Sequence, residues 1–157
     1  MLGWVEFAAT RPDLAAAGRD LFYQFGVGLA FLATVRSDGA PRVNPMCPVI
    51  DGIGLYAFLV PGPKRDDLHR DGRFAMHSFP RDDDENAFSV AGRARHLDDP
   101  DERLRLAALF LEERGWKEPP KGFEGQELFV FELDRCLHTL TTGHGDPEPR
   151  HTIWRAP

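Results

Sequence analysis

Lys64 and Arg65 stand between Pro61-Gly62-Pro63 and Asp66-Asp67-Leu68, so two cations fall where a Gly-Pro-rich loop starts a short helix. Positive side chains beside the free N–H groups of a helix start are what a phosphate group needs. The alternative is a solvated basic pair neutralised by Asp66 and Asp67. Arg42, on a strand facing the same sheet, sharpens the phosphate reading, because a guanidinium offers a planar fork that matches phosphate oxygens.

Other constellations carry less. Asp82-Asp83-Asp84-Glu85 has the oxygens for a hard cation but neither the fixed spacing nor the turn glycine of a calcium loop, and reads as a solvated acidic loop. His138, His144 and His151 fit no zinc spacing, and no cysteine pair accompanies them. Cys47 and Cys136 read as reduced, buried thiols. There is no Gly-x-Ser-x-Gly run and no paired-carboxylate motif, so nothing points to nucleophilic or glycosidic chemistry. His77 is either a ring-contacting group on its strand or a satisfied core histidine. Trp116 either caps a groove or anchors the loop around it.

The elements that must position these groups follow from the pattern. Leu14, Ala17, Leu21 and Phe22 have helical spacing, with Arg11-Pro12-Asp13 separating a short helix from a longer one. Residues 27–35 are apolar on both faces, 42–50 carry two prolines and read as an edge or bulged strand, and 55–60 complete an antiparallel meander through two tight turns. Further strands are expected at 74–79, 88–95, 128–133 and 136–142, with 151–154 as a possible last one. Asp99-Pro100 opens a helix near 100–114, whose buried stripe is expected to be Leu104, Ala107, Ala108 and Leu111. Short turn-separated strands of this kind predict a β-rich α+β fold, a closed or nearly closed antiparallel barrel.

With 157 residues the chain has room for one domain, spanning 1–157, with N-terminal helices over 1–25 and a barrel core over about 26–157. Hydrophobic residues at 42% and charged residues at 28% exclude a disordered chain. A net charge of -6 argues against nucleic acid and anionic membranes as partners. No apolar run reaches the roughly 20 residues of a membrane span, and no secretory signal is visible, so the cytoplasm is the expected location.

The order of motifs resembles the pyridoxamine 5'-phosphate oxidase-like split barrels. The resemblance rests on Phe31-Leu32-Ala33-Thr34-Val35, then Asp38-Gly39-Ala40-Pro41-Arg42-Val43-Asn44-Pro45, then Leu55-Tyr56-Ala57-Phe58, then Lys64 and Leu68 before Asp71-Gly72-Arg73. It implies a six-stranded antiparallel split β-barrel with flanking helices, a homodimer, holding FMN or the deazaflavin F420 in a groove between subunits. Carried onto this chain, it makes Arg42, Asn44, Ala57, Phe58, Lys64, Arg65, His77 and Trp154 the expected cofactor-binding residues. The implied activity is that of a flavin-dependent oxidoreductase acting on a small molecule. An F420-dependent reductase and a non-catalytic flavin- or haem-binding stress-response protein are the alternatives. Many relatives carry Lys-x-Arg-Asn-Leu where this chain reads Lys64-Arg65-Asp66-Asp67-Leu68, and the oxidase itself has Ser-Arg-Lys at Gly62-Pro63-Lys64. Oxidation of pyridoxamine phosphate is therefore not expected.

Overall fold

Pro12, whose ring presets the helical φ and removes an N–H that would lack a partner, separates two N-terminal helices, Trp4–Thr10 (α1) and Pro12–Phe22 (α2). The computed structural model describes residues 1–157. After these helices come β1 (Ala30–Val35), β2 (Pro41–Met46), β3 (Pro48–Ile50), β4 (Leu55–Leu59), α3 (Pro63–Arg70), β5 (Arg73–Ser78) and β6 (Ala87–His96). Then follow α4 (Pro100–Glu113), β7 (Glu127–Leu140) and β8 (Arg150–Arg155). All pairings are antiparallel, in the order β2-β1-β5-β6-β7-β4-β3, and β8 pairs with β7.

Cys47 alone separates β2 from β3, yet these two segments lie at opposite ends of that order. The sheet therefore curls until its ends meet in one bent strand, 41–50, and the result is a split barrel. Pro45 and Pro48 flank the bend, and neither can donate to a ladder, which is why pairing passes from β1 to β4 there. Counted this way, β1, 41–50, β4, β5, β6 and β7 are the six barrel strands, and β8 is added outside them.

Two expectations from the pattern are corrected. The segments 128–133 and 136–142 form one strand, β7. Its register against β6 runs Gly92↔Leu133 and Ala91↔Arg135, so Asp134 is the extra residue of a β-bulge. Gly92 permits that approach, since a Cβ there would lie 1.9 Å from the Glu132 carbonyl oxygen. The buried stripe of α4 is Leu106 and Phe110, whereas Leu104 is 73% exposed. Residues 106–111 are all apolar, so periodicity alone could not choose the inward face.

The core has two parts because β4 is covered on both faces. Leu55, Ala57 and Leu59 join the main barrel core, and Tyr56 and Phe58 join a smaller one with Leu106, Phe110 and Phe123 beneath α4. Asp99 caps α4 by accepting from the N–H groups of Asp101 and Glu102 at 3.0 and 3.1 Å. No helix is long and apolar enough to cross a membrane.

Candidate functional site: a cationic cleft at the split of the barrel

The strand 41–50 leaves β4 after the pair Pro48↔Ala57 and runs beside β1 from the pair Ala30↔Met46. Between its β2 half and the connection from β4 to α3 lies a cleft of about 360 Å³, lined by Arg42, Asn44, Pro45 and the segment Val60–Lys64. Arg42 and Asn44 sit opposite Thr34 and Leu32 in the register, on the sheet face that elsewhere holds the core. Polar side chains on an inward face, at an edge, are the sequence signal of this site.

Four features of the cleft favour an anion. Lys64 is half-buried and pairs with no carboxylate, its only partner being the Pro45 carbonyl at 3.2 Å. Burial pulls its ammonium below the usual lysine range, and the nearby Cys47 only partly opposes this. Arg42 donates through Nε to Asp67 Oδ2 at 2.8 Å, and its Nη groups meet no protein acceptor. Gly62 enters α3 at φ +148°, with open space where a side chain would begin. The N–H groups of Gly62 and Lys64 have no backbone partner, since the first turn of α3 is closed by Arg65 and Asp66 donating to the Gly62 carbonyl.

The acids beside this cleft behave differently from a simple neutralising pair. Asp66 is exposed. Asp67 is buried and accepts from Thr34, Arg42 and Arg70. Burial pushes its carboxyl up, but those three hydrogen bonds outweigh it and hold the group below the ordinary carboxylate value. Sequence reasoning did not single out Thr34 or Asp67 as parts of the site. The available signal was an acid in place of the Asn that many relatives carry.

The structure brings Arg42, Asn44 and Lys64 together and places the other expected residues elsewhere. Arg65 turns away to Glu127 at 3.3 Å, a carboxylate that also meets His69 at 2.5 Å, so it adds no charge to the cleft. Ala57 and Phe58 are buried, Phe58 packing its ring 4.8 Å from Phe123, and only their strand borders the split. His77 lies on the opposite, outer face of the sheet, opposite Phe31 and Ser89. There it lines a separate depression of about 400 Å³ with Phe31 and Phe79, whose rings stack at 4.1 Å. Trp154 is a core residue, 4.8 Å from Phe7, because β8 points it under α1. Trp116 packs edge-on against Phe110 and borders no part of the cleft. Asp84 of the acidic loop is engaged by Asn86 and Arg81.

Comparison with known proteins agrees with this architecture. Residues 23–137 match the family described as pyridoxamine 5'-phosphate oxidase. A search of curated proteins finds no match. Among solved structures, a heme binding protein from Mycobacterium smegmatis superposes with TM-score 0.64 and 16% identity, covering 89% of this chain and 57% of that one. This chain thus spans a little over half the length of that protein. An F420 reductase superposes with TM-score 0.56 and 24% identity, covering 69% of this chain and 87% of that one. An FAD-binding protein from Mesorhizobium loti gives 0.52 and 23%, covering 69% and 82%. At these identities the likeness is one of fold.

Proposed function

Because the chain belongs to the pyridoxamine 5'-phosphate oxidase family, we propose that it is a flavin-binding oxidoreductase that holds FMN by its phosphate in the cleft between β2 and α3. The observation that carries this reading is Lys64, a half-buried cation with no counter-ion, beside the free Nη groups of Arg42. A phosphate there would accept from Lys64 Nζ, from Arg42 and from the N–H groups of Gly62 and Lys64, all of which lack a better partner. Asn44 supplies a neutral donor and acceptor on the same wall. Bound FMN would supply the hydride chemistry, and the protein's part is to bind, orient and exclude water. Since Arg65 is committed to Glu127, the cleft presents two cations, which supports a flavin enzyme other than a pyridoxamine phosphate oxidase.

The second reading, F420 in the same cleft, rests on the same two cations, since that cofactor also presents a phosphate.

A homodimer completes the proposal. Over β2, β1, β5 and β6 the outer face of the sheet carries no helix, and within a border that includes Arg73, His77 and Arg93 it presents small or apolar residues, with Val43 60% exposed. The register aligns Val43, Ala33, Ala75 and Ala91 in one row across four strands. A helix-free patch with such a row at its centre is what a second copy covers.

The test is the absorbance spectrum of the protein as purified, with mass spectrometry of what acid releases, and titration with FMN and with F420 in parallel. Retained or tightly bound FMN supports the first reading, and selective binding of F420 the second. A colourless chain that binds neither overturns both.

A further inference from the structure

Asp67 is the charge beside the cleft for which phosphate binding has no direct use. Its side chain is 5% exposed, and it joins three elements, accepting from Thr34 Oγ1 on β1 at 2.9 Å, Arg42 Nε on β2 at 2.8 Å and Arg70 Nη1 on α3 at 3.2 Å. Arg70 is also fixed at its other end by the Val35 carbonyl. An acid placed this close to a phosphate site repels the ligand, so its contribution must lie elsewhere. Arg42 is a long side chain on an edge strand, and no other group of the protein bonds its guanidinium. Freezing such a side chain on ligand binding costs conformational entropy, and a partner that fixes it beforehand removes that cost.

We infer that Asp67 is a positioning residue, which grips the inner edge of the Arg42 guanidinium and so presents the two Nη groups to the ligand phosphate beside Lys64. The inference rests on the phosphate reading of the cleft. Two effects of the carboxylate then oppose each other, repulsion of the ligand and orientation of Arg42. Orientation acts only through Arg42, whereas repulsion acts whether or not Arg42 is present.

This separation gives a test with a sign. FMN dissociation constants are measured by flavin fluorescence for Asp67→Ala in the native background and in an Arg42→Ala background, with far-UV circular dichroism confirming the fold. Asp67→Ala weakens FMN binding about tenfold when Arg42 is present, the usual scale of coupling between touching residues, and leaves it unchanged or tighter when Arg42 is absent. Asp67→Asn, which keeps the size and one acceptor oxygen, recovers part of the affinity and serves as the test variant if the alanine chain does not fold. In the ligand-free protein the Arg42 Nε–H resonance is protected from exchange, and that protection is lost in Asp67→Ala. Equal weakening in both backgrounds means a merely structural role and overturns the inference while leaving the phosphate reading intact. A native chain that binds neither FMN, F420 nor inorganic phosphate overturns the phosphate reading and the inference with it.

Discussion

Around α3, Arg42, Arg65 and Arg70 each meet a carboxylate, and Lys64 meets none. A charge-assisted contact from that ammonium to phosphate is worth about 1.5–3 kcal/mol, so Lys64→Ala is expected to raise the FMN dissociation constant accordingly, with Arg42→Ala acting similarly and Asp83→Ala doing almost nothing. An unchanged constant in a fluorescence titration removes Lys64 from the site. The pH dependence has a defined sign. The pKa of Lys64 is depressed in the ligand-free fold, so phosphate affinity is present while Lys64 is protonated and is lost as pH rises through that lowered value. The decline sets in below the ordinary lysine value of 10.5, and in Lys64→Ala this alkaline limb disappears. The cysteines divide by burial. The Cys136 thiol is fully buried and pushed up to about 12 by its surroundings. It should stay unreactive toward a thiol reagent at neutral pH until the protein is unfolded, and fast modification in the native state would contradict its placement in the core.

At the scale of elements, α4 shows where a pattern runs out. Its run of apolar residues lets several faces qualify, and the one that packs is chosen by Phe58, Phe123 and the ties from Arg105 to Asp51 and from Tyr23 to Glu113, all distant in sequence. Leu106→Ala is therefore expected to cost about 2–5 kcal/mol, and Leu104→Ala to stay within about 0.5 kcal/mol, as read from urea unfolding. The reverse ranking would mean that the helix is rotated. The same reasoning explains what was legible elsewhere. Proline and glycine punctuation marked the two N-terminal helices, the edge character of 41–50 and the loop before α3, because those signals are local. The continuity of β7 was hidden, since Asp134-Arg135 looks like a turn unless the β6 ladder opposite is known. Half of the site was legible for a similar reason: Lys64 and Arg42 carry their chemistry in their type, whereas the outward turn of Arg65 is set by Glu127, 62 residues later.

For the whole molecule, the outer sheet face links assembly to function. His77 and the stacked Phe31 and Phe79 lie on that face, away from the cleft within one chain. If a second copy packs there, as proposed, the expected role of His77 toward a cofactor is restored only across the interface. Ala75→Arg, placed in the middle of the row of small residues, is expected to shift the chain to monomer in analytical ultracentrifugation and to weaken FMN binding together. A dimer that survives this substitution locates the interface elsewhere.

The cleft is built almost wholly from residues outside the core. Arg42, Asn44 and Val60–Lys64 are half-buried or exposed, and the barrel is held by other side chains. Substitutions along this wall consequently alter what is bound while sparing the stability of the scaffold, so ligand preference and fold are free to evolve on separate clocks. Asp67 is the exception, a buried residue that belongs to both, and it sets the limit on how far the wall can drift before the packing behind it must change as well.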